Sequence, residues 1–514
     1  MKTKNSVLGE NFLLLLPAGF FLFEALKPYF FLPYTDNEGA FVLIGGEMAR
    51  GARLYADIWD HKPPLLFGQS WLLQRFFSLT EIHLHLYGLL IHAANAWLIY
   101  GVAKRLWFSR AGAWASAMAY LLFLFPPLFQ PWAVEADLLM QPLLLLSFWA
   151  AFSQKGWRHF FSGVLWAGAF FTKQSALFIL PVYLMAGAFA DVPKILRWWA
   201  GAGLTAVMVM LPFMLDGRWT DFYSALIGFN QYYVEKGWLF FFATPVFRDF
   251  LVQWFKVAGF TYGLAFLVWG LGNWGKFSQP LHPRTFFFLT VWFLGAMVSC
   301  GVSGYFFTYY FMALLPPLAL GTGLAWMKWK KTQRKDLMAC FWLMGAGVAA
   351  AAINLGGLKD KVFSYAQYPV PRYFADKAMG HLIAGQAKPG DKLLAWSDDP
   401  QIYVYAGLRP SVKTPFINHL TGMPDEAWNT LDNFNRQPPA YCVVSRMDQV
   451  ITPPPSVRGL VENPLHPGPK HRGFGFIPPP RSRQKALKTV FFPYQSKPGT
   501  VRNDRGPFPK DVLK

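Results

Sequence analysis

Cysteine and charged residues are both scarce in this chain of 514 residues. Two of its three cysteines, Cys300 and Cys340, fall within apolar runs and Cys442 stands alone, so neither a disulfide framework nor a cysteine-based metal site is predicted. Only 15% of the residues are charged, whereas 54% are hydrophobic and 18% aromatic. This composition disfavours an ordinary soluble protein and indicates a membrane protein.

Several functional motifs are also missing from the sequence. It contains no Walker loop, no dinucleotide-binding fingerprint and no internal repeat. The net charge of +20 is not accompanied by an aromatic and basic RNA-binding signature. Much of that charge lies in the tail from Ser456 to Lys514, where twelve Lys or Arg stand against three acids. A nucleic-acid partner is therefore not expected.

Apolar runs of roughly 16 to 24 residues are what the chain has in abundance, and a helix needs about 20 residues to cross a bilayer. We predict an α-helical polytopic membrane protein with about eleven spans. The first is interpreted as an uncleaved membrane helix, because no small-residue cleavage site follows its apolar core. The predicted spans are Asn11–Leu32, His83–Leu106, Ala111–Phe129, Asp137–Phe152, Phe160–Thr172, Ser175–Ala190, Trp198–Leu215, Phe250–Leu271, Thr285–Cys300, Phe307–Met327 and Leu337–Asn354.

The distribution of Lys and Arg predicts the orientation of these spans. Basic residues concentrate in alternate short breaks, which are expected to be cytoplasmic. The first loop, the aromatic loop Asp216–Arg248 and everything after Asn354 are then extracytoplasmic. The aromatic loop is expected to form an interfacial helix.

Three regions are predicted along the chain. Residues 1–355 form the transmembrane domain, with a first extracytoplasmic loop at 33–82. Residues 356–451 form a small extracytoplasmic α/β domain, because strand-like segments at Lys392–Trp396 and Tyr441–Ser445 flank a short helix predicted after Pro400. Residues 452–514 are a basic, proline-rich tail for which no fold is predicted.

The first loop is too polar for a simple membrane turn. Asp36 is expected to cap a helix that starts near Glu38, lies along the membrane surface and ends at Gly51. Pro63 holds Lys62 extended, and Pro64 suits the first turn of the next helix. Lys62 is thus predicted at the bend of a rigid platform.

Acidic residues from two distant loops are the candidates for chemistry. Asp36 follows the first span, and Glu135 and Asp137 precede the fourth. If these ends meet, a carboxylate there can act as a general base, or Asp36 and Glu135 can hold a divalent metal ion. The alternative is that they are helix caps and interfacial charges.

Basic residues supply candidate phosphate contacts. Lys62, at membrane level beside an acidic loop, suits a phosphate, although an interfacial lysine that snorkels is the alternative. Lys173 at a junction of two apolar runs is a weaker candidate. Lys236 and Arg248 are weaker still, since solvated loop charges explain them better than phosphate contacts do. His83, His85 and His92 are expected to be interfacial or packed rather than metal ligands.

The order of these pieces resembles a known superfamily. AspAsnGluGly after the first span, a helix ending in ArgGly, LeuTyr-x-Asp-x-Trp-Asp-x-LysProPro and then a membrane helix resemble the GT-C superfamily of polyprenol-dependent glycosyltransferases. The nearest likeness is to bacterial family 39 enzymes, related to the protein O-mannosyltransferases and the lipid A aminoarabinose transferase. It covers about Asn11 to Asn354, with further similarity in the C-terminal domain.

The resemblance implies an inverting transfer of a sugar from a polyprenyl-phosphate donor to an extracytoplasmic lipid, glycan or protein acceptor. By motif match, Asp36 is the catalytic acidic residue, Lys62 contacts the donor phosphate, and Glu135 or Asp137 is the second acid. Asn37 separates Asp36 from Glu38, which leaves the role of Glu38 open. The protein is then a multi-pass protein of the cytoplasmic (inner) membrane, in contact with its lipid, with its site outside the cytoplasm.

Two other classes of function stay open at this point. A transporter or flippase of a lipid-linked or anionic substrate would also use charges within the membrane, but it predicts repeats that are absent here. A membrane assembly protein without catalytic activity is the third reading.

Overall fold

The computed structural model describes residues 26, 28–106, 108–124, 130–153, 155–185, 192–243, 248, 283–332, 370–423 and 439–444. The predicted spans at 250–271 and 337–354, most of the span at 11–32, and the tail at 452–514 lie outside the described residues. The predicted domain boundaries and the total of eleven spans stay predictions.

Helices at the remaining predicted spans agree with the sequence patterns to within a few residues. Glu81–Arg105 and Val192–Leu215 are long and apolar enough to cross a membrane, as is Thr308–Met327, which begins as a 3-10 helix. Ala136–Ala151, Gln174–Tyr183 and Phe287–Gly301 are shorter apolar stretches. The helices, in chain order, are α1 Asp36–Ala49, α2 Pro64–Phe76, α3 Glu81–Arg105, α4 Arg110–Phe123, α5 Ala136–Ala151, α6 Gly156–Thr172, α7 Leu180–Met185, α8 Val192–Leu215, α9 Trp219–Tyr223, α10 Phe229–Ala243, α11 Pro283–Gly301, α12 Leu315–Thr332, α13 Val370–Ala384 and α14 Gln401–Ala406.

Two of these helices cross at very short distance. A Cβ atom added to Gly163 of α6 would lie 1.9 Å from the carbonyl oxygen of Trp198, and one added to Gly201 of α8 would lie 2.0 Å from that of Phe160. Small residues at such crossings let helix backbones approach closely within a membrane. The pair of glycines therefore fixes how α6 and α8 pack.

The N-cap of the first-loop helix α1 lies one residue earlier than the sequence predicts. Thr35, not Asp36, is the N-cap, and it forms a reciprocal capping box with Glu38. The predicted end of the helix is confirmed, since the helix stops before Gly51, which has φ 95°. Asp36 is thus released from a capping role.

Helix α1 is enclosed by other parts of the protein. Every residue from Glu38 to Glu47 is buried, so the helix has no single apolar face, and its position along the membrane surface stays a prediction. A Cβ atom added to Gly45 would lie 2.5 Å from Ser70 of α2, and one added to Gly39 would lie 2.5 Å from the backbone nitrogen of Gln401. The helix lies between the membrane region on one side and α14 on the other.

The C-terminal region contains a three-stranded parallel sheet. Its strands are β1 Lys392–Trp396, β2 Arg409–Pro410 and β3 Tyr441–Val444, in the order β2-β1-β3. The strands predicted at the positions of β1 and β3, and the short helix after Pro400, are confirmed. The sequence analysis did not predict β2 or α13.

Specific contacts fix this region against the first loop. The Tyr34 N–H donates to the Tyr405 hydroxyl at 2.8 Å, across 371 residues of sequence. Arg409 pairs with the buried Glu47 at 2.7 Å. The C-terminal region is therefore part of the same rigid packing as α1.

The aromatic loop is helical, as predicted. Helices α9 and α10 are joined by one turn of π-helix at Ser224–Gly228. Asn230 in α10 donates to the carbonyl oxygen of His61 at 3.0 Å. This loop thus contacts the segment that carries Lys62.

Candidate functional site

Asn37 links the two acidic loops. Its side-chain amide donates to Glu135 at 3.1 Å and to the hydroxyl of Tyr309 at 3.0 Å. Glu135 is the N-cap residue of α5 and is 1% exposed. The first turn of α1, the start of α5 and the aromatic segment before α12 therefore meet at one point.

Asp36 lies next to Asn37 at this junction, and it does not cap helix α1. Its carboxylate accepts the backbone N–H of Asn37 at 3.0 Å. Burial raises the pKa of Asp36 above the ordinary aspartate range, and the positive charges of Arg372 and Lys62 oppose this rise only in part. A carboxyl group with a raised pKa is a stronger base once it is deprotonated.

Glu135 is the second carboxyl group of the junction. Burial raises the pKa of Glu135 well above its usual range, and the charges of Asp36 and Glu38 raise it further, while Lys62 lowers it. Two neighbouring carboxyl groups in a low-dielectric site do not both ionise readily. The pair can therefore hold one negative charge and one proton.

Glu38 has a structural position instead. One carboxylate oxygen accepts the backbone N–H of Thr35 at 3.0 Å, and the other accepts that of Val134 at 2.8 Å. His85 lies 3.4 Å from the same group. Glu38 thus ties the start of α1 to the loop that carries Glu135, and the histidine beside it is packed, as predicted.

Lys62 lies on a segment whose backbone is firmly held. The Lys62 carbonyl accepts the hydroxyl of Tyr55 at 2.7 Å, and its ammonium lies 3.2 Å from Asp60. The ammonium also lies 5.5 Å from the ring centre of Phe41 and 5.4 Å from that of Phe416. The cation is therefore fixed between α1 and the C-terminal region.

Asp137 and Lys173 form a separate ion pair. The Lys173 ammonium donates to the buried Asp137 carboxylate and lies 4.0 Å from the ring centre of Tyr310. The structure thus gives the two second-loop acids different partners, because Glu135 faces Asn37 whereas Asp137 faces Lys173.

The other two basic candidates lie apart from this junction. Lys236, on α10, lies 5.6 Å from the ring centre of Tyr232 and is close enough to influence the pKa of His419. Arg248 is exposed. Neither contacts Asp36 or Glu135 among the contacts described.

The sequence analysis missed three polar residues beside Lys62. The ligand-type atoms of Asp60, His61 and His419 lie within 4.8 Å of one another, and all three residues are buried. Burial lowers the pKa of His61 and, together with the nearby His61, that of His419. His61 was visible next to the LysProPro motif, but nothing in the sequence places His419 near it.

The pKa of Asp60 is shifted in the opposite direction to those of Asp36 and Glu135. Burial by itself would raise the pKa of Asp60, but the charge of Lys62 and the proximity of His61 outweigh it and lower the pKa. Asp60 is therefore ionised at neutral pH.

Together the apolar helices, the buried first-loop helix and the C-terminal α/β part make up a mostly helical fold with a small parallel sheet. Solved structures of ArnT from Cupriavidus metallidurans share it. The form bound to undecaprenyl phosphate has 14% sequence identity and a TM-score of 0.53, over 84% of this chain and 94% of that chain. The apo form has 13% identity and a TM-score of 0.53, over 87% and 94%.

At this level of identity the similarity concerns the fold alone. No protein-family model matches the chain, and neither does any curated protein. The nearer likeness to family 39 therefore stays a prediction.

Proposed function

We propose that this protein is an integral membrane glycosyltransferase that moves a sugar from a polyprenyl-phosphate donor to an extracytoplasmic acceptor. The observation that carries the proposal is that Asn37, the neighbour of Asp36, donates to Glu135 at 3.1 Å, and that the Lys62 ammonium lies 5.5 Å from the ring centre of Phe41 on the same helix α1. A candidate base and a candidate phosphate contact thus lie within electrostatic reach of each other. The donor class is supported by the shared fold, because one solved ArnT structure is bound to undecaprenyl phosphate.

The reaction needs one base and one stabilised leaving group. The acceptor hydroxyl or amine attacks the anomeric carbon, its proton passes to the Asp36 carboxylate, and the bond from that carbon to the phosphate oxygen breaks. The configuration at the anomeric carbon inverts because attack and departure occur on opposite faces. Glu135 is the second acid in this proposal, since it accepts a hydrogen bond from Asn37, the residue after Asp36 in the first loop.

Lys62 acts on the departing phosphate. Its position is held by Asp60 and by the rings of Phe41 and Phe416, so little reorganisation is needed when charge develops on the leaving group. An ammonium that is already oriented at such a point typically contributes about 2 to 4 kcal/mol to catalysis.

The test is Asp36→Asn, compared with wild type on a panel of undecaprenyl-phosphate-linked sugars, with release of undecaprenyl phosphate measured by mass spectrometry. We expect kcat to fall by about 10²- to 10⁴-fold, because the amide cannot accept the proton. Asp57→Asn is the control, since Asp57 lies in the same loop, is exposed and pairs only with Arg53 among its described ion pairs. We expect that variant to keep wild-type activity.

Two results would contradict the proposal. Unchanged transfer by the Asp36→Asn variant would remove Asp36 from the role of base. Movement of the intact lipid across vesicles without consumption of any donor would favour a flippase.

A further inference from the structure

The carboxyl edge of the C-terminal sheet faces the first loop. The chain leaves β1 into the segment that starts α14, where a Cβ atom added to Gly39 of α1 would lie 2.5 Å from the backbone nitrogen of Gln401. It leaves β2 into a segment in which the Lys413 carbonyl accepts the backbone N–H of Trp59 at 2.9 Å. In open α/β sheets, ligands bind outside the carboxyl ends of the strands. The edge that meets the first loop is therefore the edge where the topology favours a ligand.

Ser397 and Thr414 occupy matching positions on these two segments. Leu393 of β1 is paired with Pro410 of β2, and each of the two hydroxyl residues lies four positions further along its segment. Both side chains are buried. The two segments thus carry hydroxyl groups at the same level beyond the sheet.

Four buried oxygen atoms at this edge, the edge oxygens, have no hydrogen-bond partner among the residues that the structure describes. They are Ser397 Oγ, Asp399 Oδ2, Gln401 Oε1 and Thr414 Oγ1. Each of these residues is no more than 1% exposed. A buried polar atom without a partner is unfavourable, so a ligand that pairs with the edge oxygens would bind favourably.

Asp399 and Gln401 are held in place by the other polar atom of each side chain. Asp399 Oδ1 pairs with Arg372 of α13. Gln401 Nε2 donates to Asp376 at 2.8 Å and to Asp399 Oδ1 at 3.4 Å. Each side chain therefore uses one polar atom within the protein and keeps one oxygen available. Groups that are already ordered lose little conformational entropy when a ligand binds.

We propose that the edge oxygens bind the hydroxyl groups of a glycan. The free oxygens of Asp399 and Gln401 can only accept hydrogen bonds, and the hydroxyl groups of Ser397 and Thr414 can accept or donate them. A glycan presents several hydroxyl donors at once. A phosphate group presents acceptor oxygens and negative charge, which match neither Asp399 nor the neighbouring Asp36.

The position of the edge oxygens suits the acceptor of the proposed transfer. Gln401 packs against Gly39, which lies three residues after Asp36 and so on the same side of α1. The proposed base takes the acceptor's proton, so the remainder of the acceptor lies beside this turn of the helix. The acceptor is then a glycan. This role rests on the proposed function, whereas the binding of a glycan does not.

Binding is measured without any sugar donor, on the full-length protein in a detergent that carries no sugar headgroup. Saturation-transfer-difference NMR detects contact with a panel of methyl glycosides and short oligosaccharides, and methyl phosphate is the anionic probe. We expect at least one glycan to bind and methyl phosphate not to displace it.

Ser397→Ala and Thr414→Val each remove one edge oxygen and no described hydrogen bond. Neither variant should therefore unfold at a lower temperature than the wild type. Each should bind the glycan about fivefold more weakly, which is the effect of one hydrogen bond. Ser411→Ala is the control, because Ser411 directly follows β2 but is only partly buried, and it should bind as the wild type does.

A failure to bind any glycan of the panel overturns the proposal, and this result requires no variant to fold. Displacement of the glycan by methyl phosphate also overturns it, since an anionic acceptor would then fit better. Wild-type affinity in both Ser397→Ala and Thr414→Val would show that the two hydroxyl groups are only part of the core. Glycan binding that these variants weaken, in a protein that consumes no lipid-linked sugar, supports the glycan site and contradicts the transfer reaction alone.

Discussion

The Asp36 carboxylate does not cap helix α1, because Thr35 is the N-cap. Thr35 caps helix α1 and Glu38 completes the capping box, so the Asp36 carboxylate is left to face Asn37, Glu135 and the charges around them. Those charges come from several elements: Lys62 from the first loop, Arg372 from α13, Asp399 from the loop before α14, and Glu135 from the start of α5. The pH dependence of the reaction should report on this environment.

We predict that kcat/KM rises with pH through an apparent pKa above that of an ordinary aspartate. The base must be deprotonated to act, and burial raises the pKa of Asp36, so activity is lost as the pH falls through the raised value. Measurement of donor consumption across the acidic range tests this. An acidic limb at the usual aspartate pKa would contradict it.

A substitution that removes a nearby charge can shift the acidic limb of the pH profile while Asp36 itself is unchanged. Arg372 lowers the pKa of Asp36, so Arg372→Gln should move the acidic limb to higher pH. Lys388→Gln, which removes an exposed charge on the loop before β1, should leave the limb where it is. An unmoved limb in the Arg372→Gln variant would show that another group sets the profile.

At the scale of residues, the sequence predicted the local parts of the site better than its long-range parts. Asp36, Lys62 and Glu135 were chosen as candidates from their places beside apolar segments and motifs, and their roles stay predictions. The ion pair of Asp137 with Lys173 and the approach of His419 to His61 were not, because both join residues far apart in sequence. Pattern alone carries no distance information across such separations.

At the scale of elements, long apolar runs are a strong signal, and three of the helices found at them are long and apolar enough to cross a membrane. The start of α1 was missed by one residue although Thr35 and Glu38 form a readable Thr-x-x-Glu capping box. Its burial was also missed, because the helix packs against α14 at Gly39 and against α2 at Gly45. A helix enclosed on two sides has no single apolar face to detect.

The crossing of α6 and α8 gives a prediction at this scale. Gly201→Ala should destabilise the protein by about 1 to 3 kcal/mol, because the new methyl group would lie 2.0 Å from the Phe160 carbonyl oxygen. Gly203→Ala is the matched control two residues along the same helix, where nothing lies within 4 Å of the added atom. It should be neutral, or stabilising by up to about 1 kcal/mol.

Thermal unfolding of the detergent-solubilised variants measures this difference. Equal unfolding temperatures for the Gly201→Ala and Gly203→Ala variants would mean that α6 and α8 do not cross at this distance.

At the scale of the whole molecule, the positive-inside pattern predicts which side each loop faces. Lys388→Cys, in the C-terminal region, should react with a membrane-impermeant maleimide in intact cells, because that region is expected outside the cytoplasm. Arg110→Cys, at the start of α4, should react only after the cells are lysed. Both positions are exposed, so accessibility within the protein does not distinguish them.

This labelling is done in a chain whose three native cysteines are replaced by alanine. The reverse pattern, with Arg110→Cys labelled in intact cells and Lys388→Cys protected, would invert the topology and place the proposed site in the cytoplasm.

The hydrogen bond from Tyr34 to Tyr405 also has a consequence for how the protein is made. Its two residues are 371 positions apart, which at a synthesis rate of about 5 to 20 residues per second corresponds to roughly 20 to 70 s. During that interval Gly39 and the Tyr34 N–H still lack their partners from the C-terminal region. The first loop of a newly synthesised chain therefore lacks this hydrogen bond until the segment that contains Tyr405 has been made.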